Sequence, residues 1–314
     1  MGAAFFSVLE QTGSFLLLIG IGAAGARWGV LKQEALSALS AFAMNYSLPC
    51  LVFSSAAGAP ARERLLSAWP LVVVSLGVSG LMFGFGLLSA TLCRLSGSRK
   101  RVHLCVSAFG NWGMIGIPLI SALYGAEGML PMTIFLICDQ LLLWTLGVRL
   151  CCPAGTKAPF SWKRLLNPVL LAALTGIGFA LLGVSPPEPF ASTVMGLGAG
   201  AKHLSLIFVG GTLAFAAKDR RARSAGPFCI VLFKMLLCPL LLLCCALRLA
   251  GWTDGRTASA FAVIAGLPSM CTIPMIAKVH GLDDAYASFA ALVTTLCAAV
   301  TLPALVWLLS LLPF

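Results

Sequence analysis

The sequence predicts an all-α integral membrane protein of ten transmembrane helices, arranged as two inverted five-helix repeats whose fourth members are broken. Three observations lead there. The 314 residues are 60% hydrophobic and 10% charged, with a mean hydropathy of +0.99, whereas soluble domains carry about 25% charged residues. Two apolar stretches, SAFGNWGMIGIPLISALYG from Ser107 to Gly125 and AGLPSMCTIPMIA from Ala265 to Ala277, are interrupted by glycine and proline well inside their length. Lysine and arginine alternate between crowded and sparse links along the chain.

A helical span needs about 20 apolar residues, so the length holds about ten spans with short links and leaves no stretch for a soluble module. The spans are expected at 4 to 26, 35 to 57, 66 to 93, 102 to 124, 129 to 150, 165 to 184, 190 to 216, 226 to 250, 258 to 280 and 285 to 312. The first lacks a basic leader and is long for a signal peptide, so it is read as a span. The second carries Asn45-Tyr46-Ser47-Leu48-Pro49. In the fourth, Asn111 and Trp112 precede Gly113, Gly116 and Pro118. Proline has no N–H to donate and clashes with the preceding turn, so this helix should open there. An opened backbone survives in hydrocarbon only where protein or a water-filled cavity surrounds it, which makes the stretch a candidate binding site.

The fifth span carries Asp139, the sixth begins at Asn167-Pro168, a helix-starting pair, the seventh carries Lys202 and His203, and the eighth carries Lys234. Gly266, Pro268 and Pro274 break the ninth as the fourth is broken. Links one, three, five, seven and nine, counted with the span ends beside them, hold fifteen Lys and Arg residues and the even links hold four. By the positive-inside rule the odd links are cytoplasmic and both termini lie outside. Residues 1–150 and 165–314 then form the two repeats, of opposite orientation, joined by a cytoplasmic linker at 151–164.

Broken segments at matching positions of two halves point to a secondary transporter with its site at the midplane. The plainer alternative is a pair of kinked helices, since Pro and Gly are common in membrane spans. At a crossing, the second half-helices would present free N–H groups and positive dipole ends to an anion. Asn111 can donate through its amide, and Ser269 and Thr272 through hydroxyls. The expected substrate-binding set is Asn111, Gly113, Gly116, Pro118, Asn45, Ser269, Cys271, Thr272 and Pro274. A charge at the bilayer centre costs about 3 kcal/mol or more, so Asp139 and Lys234 are the candidates for proton or ion coupling. A structural ion pair, or snorkelling of Lys234 toward the cytoplasm, is the plainer reading. Lys202 and His203 are adjacent, so at most one lines a cavity.

The twelve cysteines lie scattered through apolar segments with no zinc spacing, so no metal or cofactor is expected. The net charge of +11 reports orientation, not nucleic acid. One deep aspartate cannot make an intramembrane aspartyl protease, and no P-loop or dinucleotide fingerprint is present, so no enzyme activity is expected.

FGNWGMIGIPLISALYGAEG at 109 to 128, DQLLLWTLGV at 139 to 148, LNPVLLAALTGIGFALLG at 166 to 183 and GLPSMCTIPMIAKVHG at 266 to 281 resemble the auxin efflux carrier family. The resemblance covers nearly the whole chain. It implies the ten-helix fold of bile-acid symporters and NhaA-type antiporters, with the broken spans four and nine crossing, a scaffold of spans one, two, six and seven and a transport domain of spans three to five and eight to ten. It further implies organic-anion transport and a homodimer joined through the scaffold. Asn111 matches the family's crossover asparagine. In the ninth span many relatives have an asparagine where this chain reads Ser269-Met270-Cys271-Thr272, so the substrate is left open. Coupling to a proton or to sodium and a transporter-like receptor stay open too. The surrounding lipid is that of a plasma membrane, expected to be a prokaryotic inner membrane.

Overall fold

The computed structural model describes residues 2–57, 68–151, 168–216, 224–248, 255–271 and 273–311. These residues are helical almost throughout, with one isolated β-bridge between Gly110 and Ser269. Six helical runs are long and apolar enough to cross a bilayer: Gln33–Ser54, Trp69–Leu92, Trp112–Gly147, Glu188–Phe215, Gly226–Cys244 and Asp284–Ser310. The 36-residue run kinks at Gly125, whose φ of 57° suits a residue without a Cβ. Leu16–Arg27 and Pro168–Leu182 are shorter apolar helices.

Large apolar side chains cover the outside: Leu17 and Val300 are each 71% exposed. In water such a surface would aggregate, whereas in hydrocarbon it needs no cover. Serine and threonine within the helices donate back to their own carbonyls, as Ser75 does to Leu71 (2.6 Å) and Thr212 to Phe208 (2.9 Å). Such bonds satisfy polar groups where water is absent. The chain is an all-α membrane protein.

Two groups of neighbours position the site. Gly2–Arg27 lies along Ala201–Ala216, while Leu48–Ala57 packs on Pro168–Leu182 and Glu188–Ala199. The backbones of the first pair touch. A Cβ on Gly22 would collide with the Ile207 carbonyl oxygen, and one on Gly210 with that of Ile19, the close approach that small residues allow between membrane helices. In the second group Trp69–Leu92 packs on Gly97–Ala108 and Ile117–Leu142, Gly255–Ala265 on Ile117–Leu142, and Asp284–Ser310 on Ile273–Val279.

Local geometry departs from expectation in two places. Arg99, Lys100 and Arg101 fall in the helix Gly97–Ala108, not in a link, because the chain turns earlier, through the left-handed Arg94 and the extended Ser96. The expected span at 190 to 216 is two helices, Glu188–Ala199 and Ala201–Ala216, meeting at Gly200, a weak helix former. Single π-helical turns occur at Ala43–Ser47, Trp112–Gly116, Leu143–Gly147 and Val231–Leu237.

Candidate functional site

Both interrupted segments leave helical geometry, and they do so side by side. The Asn111 N–H donates to the Pro268 carbonyl (2.8 Å), and the Met270 N–H donates to that of Phe109 (3.2 Å). Two main-chain bonds thus join segments 160 residues apart in sequence, satisfying groups that have no water to bond. The opening in the first segment spans Phe109 to Asn111, ahead of the residues expected to cause it. Gly113 and Gly116 lie in the π turn, where the Ile115 and Gly116 N–H groups converge on the Asn111 carbonyl. Pro118 lies within the continuous run Trp112–Gly147, directly after the π turn Trp112–Gly116, and does not open the helix. Pro274 is the second residue of Ile273–Val279, while Pro268 lies in the opened stretch.

Asn111, buried to 3% exposure, donates its Nδ2 to the Cys271 Sγ at 3.2 Å. Ser269 is fully buried; its hydroxyl donates to the Val106 carbonyl (2.7 Å) and its N–H to the Thr294 hydroxyl (3.2 Å). Gly113 is half-buried, and Gly116 and Pro118 are buried. Thr272 lies outside the described residues. The Trp112 indole folds over Gly110, where a Cβ would overlap the ring, and meets Phe135 edge-on with centroids 5.0 Å apart.

Asp139 and Lys234 are both buried beside this crossing. The Lys234 Nζ does not snorkel away: it donates to the carbonyls of Phe109 (3.3 Å) and Val106 (3.5 Å) and lies 5.3 Å from the Trp112 ring centroid. Asp139 and Lys234 are within electrostatic reach of each other without forming an ion pair. The Trp112 indole also lies close to Asp139, yet Trp112 Nε1 and Asp139 Oδ2 both lack a hydrogen-bond partner.

A cavity of about 620 Å³ has Cys271 and Pro274 in its lining. Its walls carry Gln33, Ser37 and Ser40 from Gln33–Phe42, Met44 from Ala43–Ser47, Phe208 and Thr212 from Ala201–Ala216, and Asp284 and Ser288 from Asp284–Ser310. Ser37, Ser40 and Thr212 did not stand out in the sequence, although Gln33, Ser37, Ser40 and Met44 recur at the three- and four-residue spacing of one helix face. Asn45 is elsewhere: it is exposed, with its amide donating to the Ala41 carbonyl (2.7 Å). His203 is exposed, and the side chain of Lys202 lies outside the described residues. Sequence reasoning also passed over His103, fully buried between the Ser89 hydroxyl and the Tyr286 hydroxyl, each 2.7 Å away. Its partner Tyr286 is 183 residues distant, so no local signal marks the pair.

The sequence pattern of the family described as "Membrane transport protein" matches residues 8–161 and 157–307. A protein of Rhizobium meliloti (strain 1021) bearing the description "Putative malonate transporter" is 26% identical over 307 residues, 94% of this chain and 93% of that one. An "Uncharacterized transporter" of Methanothermobacter thermautotrophicus is 27% identical over 308 residues, 95% of this chain and 97% of its own.

Proposed function

The chain belongs to the membrane transport protein family, that of the auxin efflux carriers, and from this premise we propose that it is a secondary carrier of a small organic anion, a carboxylate, coupled to protons. One observation carries the reading. The cavity that separates the two groups of helices has in its lining the thiol that accepts the Asn111 amide donor. A thiol is a weak acceptor, so an incoming carboxylate oxygen is the better partner for that N–H. The first N–H groups of the Trp112–Gly116 turn have no carbonyl of their own turn to bond and carry the positive end of the long helix behind it. Ser269 and Thr272 complete the expected polar set.

In this reading the chain crosses the membrane ten times, with repeats at 1–150 and 165–314 and both termini outside. Spans one, two, six and seven form the scaffold, which also joins two copies into a homodimer. The other spans carry the site across it by elevator movement. The packing of Gly2–Arg27 on Ala201–Ala216 and of Leu48–Ala57 on Pro168–Leu182 supports the scaffold. The lining residues Gln33, Phe215 and Asp284 adjoin three odd-numbered links, and the mouth is assigned to that end. The charge pattern makes those cytoplasmic, so the cavity faces inward. Asp139 is the proton-binding group: it is an acidic side chain buried beside the crossing, 1% exposed, whose Oδ2 has no hydrogen-bond partner. The malonate named for the Rhizobium relative makes short dicarboxylates the first acids to test.

The test is thermal stabilisation of the purified protein across mono- and dicarboxylates at several pH values, because a ligand of the folded state raises its melting temperature. One acid should give a pH-dependent rise that Asn111→Ala loses. A response to no carboxylate, or a full response in Asn111→Ala, overturns the assignment.

A further inference from the structure

Lys234 brings its amino group to the crossing, 3.3 Å from the Phe109 carbonyl and 3.5 Å from that of Val106. Val106 and Phe109 stand at the carbonyl end of the Gly97–Ala108 helix, where the last C=O groups lack intrahelical partners and the dipole is negative. In membrane carriers such carbonyl ends of broken helices coordinate sodium. Here the Lys234 ammonium takes that place, donating to both carbonyls. The Ser269 hydroxyl shares the Val106 carbonyl, the Trp112 ring supplies a face suited to a cation, and the buried Asp139 carboxyl lies nearby. The lysine reaches the crossing from a π turn, Val231–Leu237, of the kind that redirects a helical side chain at functional sites.

We propose that the Lys234 ammonium is a tethered substitute for a coupling sodium ion, held by the Val106 and Phe109 carbonyls, so that this carrier works without sodium and a sodium site appears once the lysine is shortened. The carbonyls and the Ser269 hydroxyl are hard oxygen donors, the ligand type that alkali cations take. Truncation to alanine leaves them facing an uncompensated Asp139, with the volume of four methylenes and an ammonium for the ion. The claim rests on the carrier reading for its consequence in transport, and its cation site is measured without any substrate.

The experiment compares melting temperature in sodium chloride and in choline chloride at equal ionic strength, for the full-length protein and for Lys234→Ala and Lys234→Met, with carboxylate uptake into vesicles measured alongside. The unaltered protein should be indifferent to the exchange in both assays. Lys234→Ala should melt lower in choline and gain about 2 °C or more in sodium or lithium. Lys234→Met, which fills the space without charge, should gain nothing. Sodium-dependent stabilisation or uptake in the unaltered protein overturns the proposal. So does a folded Lys234→Ala that ignores every alkali cation. An alanine variant recoverable only in sodium or lithium supports it; if neither variant is recoverable, the response of the unaltered protein decides. Sodium-dependent carboxylate uptake would sink the tethered-cation claim alone, and absence of any carboxylate response would sink the carrier reading alone.

Discussion

Asp139 is the side chain whose surroundings ask most of the protein. It is 1% exposed, one of its oxygens has no partner, and the nearby ammonium is committed to two carbonyls. An unpaired buried polar group costs roughly 1 to 3 kcal/mol, and more when charged. Asp139→Asn is therefore expected to leave the protein folded, with a melting temperature equal to or above that of the parent. Carboxylate uptake in the variant should no longer vary with pH; an unchanged pH profile would remove Asp139 from coupling. Gly110 is a second sensitive residue, because the Trp112 indole lies where a Cβ would project. Gly110→Ala should displace the ring and lower stability by about 1 to 3 kcal/mol, read in thermal unfolding. The same indole backs Lys234, so the variant should also weaken the response to the substrate acid.

At the scale of elements, the seam between Gly2–Arg27 and Ala201–Ala216 is held by backbone contact at Gly22 and Gly210. Gly210→Leu drives a side chain into a main-chain oxygen that cannot rotate away. It should cost about 3 kcal/mol and cause loss of folded protein on purification. The half-buried ion pair of Arg99 with Asp283, at 2.8 Å, is a milder case: Arg99→Gln should lower the melting temperature by the equivalent of about 1 kcal/mol. The membrane class and the two interrupted segments were legible because composition, glycine and proline act locally. The place of opening was read a few residues late, since Pro118 is accommodated after the π turn Trp112–Gly116 and the backbone leaves helical geometry at Phe109–Asn111. The face of a residue was less legible still. Asn45 and Ser40 share a span, yet the first is exposed and bonded to its own helix while the second lines the cavity. In a uniformly apolar span, hydrophobicity does not say which side meets lipid. Contacts such as His103 with Tyr286, or Asn111 with Cys271, are set by tertiary packing across more than 150 residues.

For the whole molecule, the proposed sidedness makes one test simple. Ser37→Cys, on the cavity wall, should react with a membrane-impermeant maleimide in inside-out vesicles and not in right-side-out ones, scored by mass spectrometry of the peptide that carries it. Reaction from the outer face would reverse the orientation drawn from the basic links. The cavity has a further consequence, for the kinetics of capture. Among the described lining residues the one formal charge is Asp284, an acid, at the mouth. An organic anion approaching from that side meets mild repulsion before it reaches the donors at the far end. Charge attraction usually speeds ligand encounter and fades as salt is added, over a screening length of about 8 Å at physiological ionic strength. Here the sign is inverted at the mouth: added salt should quicken anion association, and a doubly charged acid should gain more from it than a singly charged one. Under the proposed carrier reading, the mouth would select by speed and the crossing by how long the ligand stays.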